Sequence, residues 1–408
     1  MCQGELAATV AAERPAKISV RNRKPSARVP VEGALVAPLG ASRETTAIRS
    51  LLERYASSPA SAERDYDVEI EDGLLICQSC ARWFPIAGCL PELLPDHLRD
   101  PDGDRQRFQS CTRGLPRELV DVLIAGPTGS TSSAADAGMS YKRSEIGISA
   151  KVDDPNFFSP GYSSPFNPHS AEFTLYLIKL FGSAVPLLEL KTGETLIDSG
   201  CGYAWTTEWL YRSGVEAIGV DICRTYLEIG IQRMGVDRPH LIVADVENLP
   251  IRSNVADAVL AFESAHHIPD RKKAMAGFSR ALLPAGRMVL AEPGAAHEDA
   301  QISVDVMSKY GILEKGMELD DVRQYVSGTD MGTPEQIFLV RASDREVGAT
   351  IDRAFLRTHS VVEGNLFRIH RRQGTVEAMK TAWQNPRRVV WPKVKRRLKG
   401  ALVRLGLE

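Results

Sequence analysis

Thr195-Leu196-Ile197-Asp198-Ser199-Gly200-Cys201-Gly202-Tyr203-Ala204 reads as a short apolar strand that breaks into a glycine-rich turn before a helix. Glycine suits such a turn because a ligand has to approach the backbone where a Cβ would collide. A dinucleotide fingerprint would run G-x-G-x-x-G. Here Gly200-Cys201-Gly202 continues as Tyr203-Ala204-Trp205, so the third glycine is missing and the turn alone has low specificity. Later carboxylates raise it. Asp221 closes the next strand pattern, nineteen residues after Gly202, where an acid can accept from both hydroxyls of a ribose. Asp245 follows the third pattern, twenty-four residues further on, in Ala244-Asp245-Val246-Glu247-Asn248-Leu249-Pro250. Its carboxylate can accept from the exocyclic amine of an adenine while Val246 offers a backbone amide to the ring.

Outward from the turn, apolar runs recur at Glu194 to Asp198, Ala217 to Asp221, Leu241 to Ala244, Ala256 to Phe262 and Gly286 to Glu292. Most of the segments between them look helical. Upstream, Ser170 to Leu190 reads as a helix, with Ser170 as N-cap and an apolar stripe through Phe173, Tyr176, Leu177 and Leu180. The alternation predicts an α/β architecture, a parallel sheet with helices on both faces. Three ligand groups at three strand ends then line one carboxyl edge, where open α/β sheets bind ligands.

Together these motifs resemble the class I S-adenosylmethionine-dependent methyltransferases, in particular their small-molecule group. D-x-G-C-G appears as Asp198-Ser199-Gly200-Cys201-Gly202, the ribose acid as Asp221, and D-x-x-x-L-P as Asp245 to Pro250. H-H-x-x-D appears as His266-His267-Ile268-Pro269-Asp270, and the fifth-strand signature runs from Leu282 to Leu290. Five motifs in order over roughly residues 165–295 make the resemblance specific. It implies a Rossmann-like, mostly parallel, seven-stranded sheet and S-adenosyl-L-methionine as cofactor. The implied cofactor contacts are Asp198, Gly200, Cys201, Gly202, Asp221, Ile222, Asp245, Val246 and Phe262. Ala204 stands where a third glycine is usual, which implies a tightened pocket. A nicotinamide-binding domain is the competing reading of the constellation. Methyl transfer is an in-line displacement at a sulfonium, so the protein's main task is alignment. A hydroxyl acceptor also needs a base, for which Glu263, His266 and His267 are the nearest candidates. The histidine pair can equally serve to shape its loop.

Before this region, Tyr66 to Cys77 alternates like a strand, turns at Asp72-Gly73 and resumes as a second strand. Cys77-x-x-Cys80 has the spacing of half a zinc site, and tetrahedral zinc needs four ligands. The stretch from Asp72 to Pro95 resembles the Trm112-like zinc-ribbon family. That family's second C-P-x-C is replaced here by Ser57-Ser58-Pro59-Ala60-Ser61, so a metal-free ribbon is expected, with Cys77 and Cys80 as a residual half-site. A zinc completed by Cys89, His97 or Cys111 is the alternative. Such a ribbon implies a protein partner or support for a methyltransferase.

The resulting division is a leader over 1–62 without stable structure, a ribbon module over 63–100 and a connector over 101–164 with one short helix near Arg117 to Ala125. The methyltransferase-like domain spans 165–366 and a basic tail 367–408. In the tail twelve lysines and arginines face only Glu377 and Glu408, with Trp383 and Trp391 among them, and Lys393 to Leu407 can form an amphipathic helix. Attachment to an anionic membrane surface, phosphate contact on an RNA, or a solubilising terminus would each use that composition.

Composition limits the function classes. Over 408 residues, 43% hydrophobic and 25% charged, a packed core is expected. A formal net charge of -2 argues against a global polyanion binder. No apolar run nears the roughly 18 residues that cross a bilayer, and seven scattered cysteines do not form a disulfide framework, so a reduced cytoplasmic protein is expected. The acceptor is expected to be a small molecule, a glycan or a glycolipid. An RNA methyltransferase lacks support from any N-P-P-Y-like motif after Phe262, and a non-catalytic scaffold is disfavoured by the intact Asp198, Asp221 and Asp245.

Overall fold

Residues 6–15, 68–77, 82–125, 137–153, 157–161, 164–166, 170–235, 237–340 and 362–372 are described by the computed structural model. The amino-terminal part is a four-stranded antiparallel sheet of β1 (Leu6–Pro15), β2 (Val68–Cys77), β3 (Trp83–Ala87) and β4 (Leu90–Pro91), in that order. Two expectations fail here. Leu6–Pro15, expected to lie in an unstructured leader, is a strand paired with β2 from Leu6↔Cys77 to Pro15↔Val68. Asp72-Gly73 is no turn: β2 runs straight through it, pairing Asp72 with Ala87 and Gly73 with Ile86. The tight turn lies at Gly88-Cys89, both at positive φ (57° and 65°), where Asp72 Oδ1 accepts from Gly88 N at 3.2 Å.

The expected connector is largely helical. It holds α1 (Pro101–Cys111), α2 (Arg117–Ala125, as expected) and α3 (Ala137–Ile146). Asp100 caps α1 through its carboxylate, and Phe108, Cys111, Leu119 and Leu123 pack under the small sheet against Leu74, Ile76 and Trp83.

The second unit begins with α4 (Ala171–Leu188), started by the predicted cap: Ser170 Oγ accepts from Phe173 N at 3.1 Å. This helix corrects the expectation of no membrane-length run, since its 18 residues have a mean hydropathy of 1.4. Leu177, Leu180, Phe181, Ala184 and Leu188 bury one face of it against the large sheet.

That sheet contains β5 (Thr195–Ser199), β6 (Glu216–Asp221), β7 (His240–Val243), β8 (Ala256–Phe262), β9 (Leu282–Glu292), β10 (Glu335–Val340) and β11 (Val362–His370). The order is β10-β11-β9-β8-β5-β6-β7. The five strands from β5 to β9 pair in parallel, and β11 runs antiparallel to β9 and β10. The intervening helices are α5 (Trp205–Arg212), α6 (Arg224–Met234), α7 (Arg271–Ala281), α8 (Gln301–Tyr310) and α9 (Leu319–Tyr325). β8 is buried at all seven positions, as a central parallel strand covered on both faces must be. The expected mostly parallel α/β sheet is therefore present. Its domain boundary moves: Phe367 and Ile369 are fully buried in β11, so the sheet continues past Leu366 and the tail begins later.

The chain leaves β5 toward β6 on one side and returns to β8 on the other. The crevice at the carboxyl ends of β5 and β8 is thus a topological switch point. The small sheet closes the far edge. Leu93 N donates to Val243 O at 2.7 Å, Arg224 pairs with Glu92 at 3.2 Å, and Leu90, Leu94 and Leu98 pack on Leu227, Leu241 and Val243. An otherwise open edge strand is thereby covered from within the same chain.

Candidate functional site

Gly200 sits at φ +66°, and a Cβ there would lie 2.6 Å from Ser264 Cβ. Its N–H donates to Val220 O at 2.8 Å. Gly202, at φ +53°, faces no atom within 4 Å of where a Cβ would stand, so the turn leaves a gap over its backbone. Asp221, at the end of β6, holds the turn in place: Oδ2 accepts from Gly202 N at 2.7 Å and Oδ1 from Cys223 N at 2.8 Å. A carboxylate has about four acceptor positions, so two remain for a ligand with adjacent hydroxyls. Burial raises Asp221 to about 6.

Asp198 is also buried and raised to about 6, but its Oδ2 accepts from Thr206 and Thr207, at 2.6 Å each. It ties β5 to the first turn of α5. Cys201, expected as a ligand contact, turns its side chain into the core. Its N–H bonds Val220 O, its carbonyl accepts from Ala204 N, and its side chain packs inward with Leu227 and Leu241. Ala204 adopts φ +58°, the left-handed conformation that the missing glycine would take without a Cβ. Phe262, also expected as a ligand contact, lies at the end of β8. It is a core side chain, edge-on to Phe181 and Trp205 at 5.8 and 5.6 Å.

Asp245 carries more than its motif foretold. Oδ1 accepts from Glu247 N at 3.0 Å and Oδ2 from Asn248 Nδ2 at 2.6 Å, which caps the turn Val246–Asn248. Lys142, reaching from α3, donates to Asp245 Oδ2 at 2.9 Å and also bonds Glu247. Ile222 and, from the same helix as Lys142, Met139 and Ile146 pack against one core cluster with Leu227 and Leu241. A segment expected to be a mere connector thus forms one wall of the crevice.

Beyond the ends of β8 and β9 lies a cluster of acids and histidines. Glu263 takes φ +48°, accepts from Tyr176 Oη at 3.1 Å, and is raised to about 8 by burial and by Glu292 beside it. Glu292 is fully buried and accepts from Ser264 N, Ala265 N and His266 N, and its Oε2 lies 2.8 Å from His266 Nδ1. His266 and His267 stack with ring centroids 3.9 Å apart. His267 Nδ1 donates to Leu313 O at 2.7 Å, which fixes its tautomer. Burial and the neighbouring His267 and His297 push His266 well below its usual range, so its ring is neutral. Glu314 and His297, 2.6 Å apart, complete the cluster, and Glu145 of α3 lies 3.8 Å from His267 Nδ1. The three expected base candidates therefore do converge. Glu145, Glu292, His297 and Glu314 were not foreseen as members. Among the described residues, Cys77, Cys89, His97 and Cys111 do not gather into a metal-binding group, and Cys111 Sγ instead donates to Ile86 O. Cys80 lies outside the described residues.

The profile of a methyltransferase domain family matches residues 197–290. This segment resembles a methyltransferase domain. Its ends, Ile197 in β5 and Leu290 in β9, enclose the turn, Asp221, Asp245 and the histidine pair. The chain is similar to the methyltransferase GfsG of Streptomyces halstedii, 29% identical over 143 residues, 34% of this chain and 51% of that protein. It is likewise similar to the 27-O-demethylrifamycin SV methyltransferase of Amycolatopsis mediterranei, 29% identical over 164 residues, 34% of this chain and 60% of that one. The chain thus spans about half the length of the curated relatives it matches. Among solved structures, phosphoethanolamine N-methyltransferase 2 of Haemonchus contortus overlaps with a TM-score of 0.39 at 16% identity, covering 57% of this chain and 58% of that one. The strand order of the methyltransferase domain stands on its own hydrogen bonds.

Proposed function

We propose that the chain is an S-adenosylmethionine-dependent methyltransferase acting on a hydroxyl of a small molecule or glycan. The observation that carries this is the open Gly202 backbone beside Asp221, whose carboxylate keeps two acceptor positions at the switch point. Those residues fit a nucleoside cofactor: Asp221 toward the ribose hydroxyls, Ile222 and Val246 toward the base, Asp245 toward its exocyclic amine with one acceptor position left. The cofactor, when bound, supplies an electrophilic methyl on a sulfonium. Gly200 and Gly202 let it approach the backbone, while Asp198 keeps the turn from moving by anchoring it to α5.

The proton of an acceptor hydroxyl needs a destination near the ends of β8 and β9. Glu263 suits that role, because its carboxyl, raised to about 8, titrates close to neutral pH, and the fraction ionised there is a stronger base than an exposed carboxylate. His266, held by Glu292, positions the neighbouring loop. GfsG and the rifamycin methyltransferase are by name methyltransferases, the second acting on a small molecule, which supports the acceptor class proposed here. The test is tritiated-methyl transfer from labelled cofactor into extracts of a strain lacking the protein, with Glu263→Gln as control. Label entering RNA instead of small molecules or glycans would overturn the acceptor class.

The small sheet is read as a ribbon-like support that covers the β7 edge rather than a separate partner module. For the basic tail we retain peripheral contact with anionic membranes, in a reducing cytoplasmic setting. The comparison is liposome co-sedimentation of the full chain and one ending at Arg372, which keeps β11 whole. Equal partitioning would remove the membrane role.

A further inference from the structure

The cluster beyond β8 and β9 gathers four carboxyl groups around its histidines. Glu145, Glu263, Glu292 and Glu314 converge on it from four different segments. The nearest arginine, Arg271, is occupied by the carbonyls of Ala265, His266 and Lys315. Glu145 Oε1 is buried and has no hydrogen-bond partner. Neither the ribose acid nor the glycine turn explains this arrangement.

We propose that His266, His267 and Glu314 bind a divalent transition-metal ion beside the cofactor crevice. One ligand atom from each of the three lies within 4.8 Å of the other two. His266 Nε2 stands 3.6 Å from Glu314 Oε2. Ligands about 2.0–2.2 Å from a tetrahedral ion are separated by about 3.4 Å, so only small side-chain shifts close the site. The surrounding contacts are those of a metal centre's supporting shell. His266 Nδ1 donates to Glu292, leaving Nε2 as its ligand atom, and the His267 ring is held by Leu313 O with its Nδ1 edge 3.8 Å from Glu314 Oε1. His297 Nε2 lies 2.6 Å from Glu314 Oε2, the same oxygen that faces His266. Glu145 Oε1, 3.8 Å from His267, supplies an additional charge. Two imidazoles and a carboxylate favour zinc, cobalt, manganese or iron over calcium. Three protein ligands leave a position for water or an acceptor oxygen, so the ion would orient and acidify the hydroxyl that receives the methyl group. That last clause rests on the methyltransferase reading, whereas binding of the ion does not.

The experiment titrates the full chain, stripped of metal by chelator, with Co2+ alone and with Zn2+ alone. Cobalt absorption and calorimetry are read without cofactor or acceptor. A Cys77→Ser background removes any contribution of the cysteine half-site. The expected result is one ion per chain with visible cobalt bands, and binding weakened at least 100-fold by Glu314→Gln and by His267→Ala. Glu292→Gln, which alters the acceptor of His266 Nδ1 and of three backbone amides but removes no ligand, should weaken it about 10–100-fold. Circular dichroism and S-adenosylmethionine binding of each variant establish that the fold persists. A variant that fails to fold is replaced by His267→Gln, which keeps the side-chain volume. No stoichiometric binding, or binding that these substitutions leave unchanged in folded protein, overturns the site. Failure of the metal titration with intact cofactor binding would leave the methyltransferase reading standing, and the converse would leave the metal site standing.

Discussion

Replacing Asp221 by alanine separates what this carboxylate does for the fold from what it does for a ligand. On the fold the effects oppose one another. Gly202 N and Cys223 N lose their acceptors, at about 1–3 kcal/mol for each donor left buried. Against this, the buried carboxylate is raised from 3.8 to about 6, so keeping it ionised at pH 7 costs roughly 3 kcal/mol, at 1.36 kcal/mol per pH unit, and the substitution removes that cost. The two largely offset, and unfolding by urea should show a net change no larger than about 3 kcal/mol. Binding has no such compensation. Two charge-assisted hydrogen bonds to ribose hydroxyls disappear, about 2–4 kcal/mol together, or roughly 30- to 1000-fold in Kd. Calorimetry with S-adenosylmethionine on a variant shown to be folded reads this directly. An unchanged Kd would refute the assignment of Asp221 to the ribose.

Other outcomes follow from the same geometry. Only the carboxylate form of Asp221 accepts from both hydroxyls, so cofactor affinity should be full above about pH 6 and fall as pH drops through it. Calorimetry from pH 4.5 to 7.5 measures this, and a dependence of the same size in Asp221→Asn would assign it to another group, Asp198 first. Lys142→Met leaves the buried Asp245 and Glu247 facing each other without their cation, and should destabilise the protein by about 3–5 kcal/mol in urea unfolding. A loss below about 1 kcal/mol would show that the contact is incidental. Gly200→Ala forces a Cβ into Ser264 at 2.6 Å as well as an unfavourable φ, and should cost about 2–5 kcal/mol of stability. Gly202→Ala meets open space, so it should cost only about 1–2 kcal/mol in the fold while weakening the cofactor more than tenfold. Thermal melts and calorimetry on the pair give the comparison, and equal effects would contradict the gap over Gly202.

The large sheet was legible because each of its strands is a short apolar run ending in a polar switch, and both signals are local. Thr195–Ser199 and Glu216–Asp221 fall within a residue of their expected positions, and Ser170 caps α4 as its sequence predicts. Glu292 could have been found by the rule that found Asp221, since it too closes a parallel strand at the carboxyl edge. Lys142, Glu145 and Glu314 could not. Lys142 meets Asp245 across 103 residues, and α3 has no apolar stripe strong enough to announce a helix that docks. The Asp72-Gly73 pair misled because its local turn preference was overridden by ladders on both sides, with β1 and with β3. The end of β11 was missed because Arg368, Arg371 and Arg372 made it look like the start of a basic tail. The alternation of buried Phe367 and Ile369 with half-exposed Arg368 is nevertheless a strand signal.

The account's central claim is that the Gly200–Gly202 turn with Asp221 binds S-adenosylmethionine rather than a nicotinamide dinucleotide or nothing. Calorimetry of the full-length protein against S-adenosylmethionine, S-adenosylhomocysteine and NAD tests it most directly. One site per chain for the first two, mutually competitive and tighter than about 100 µM (about -5.5 kcal/mol), with no heat from NAD, is the predicted result. Binding of NAD in their place, or no binding of any of the three at millimolar concentration, would contradict it.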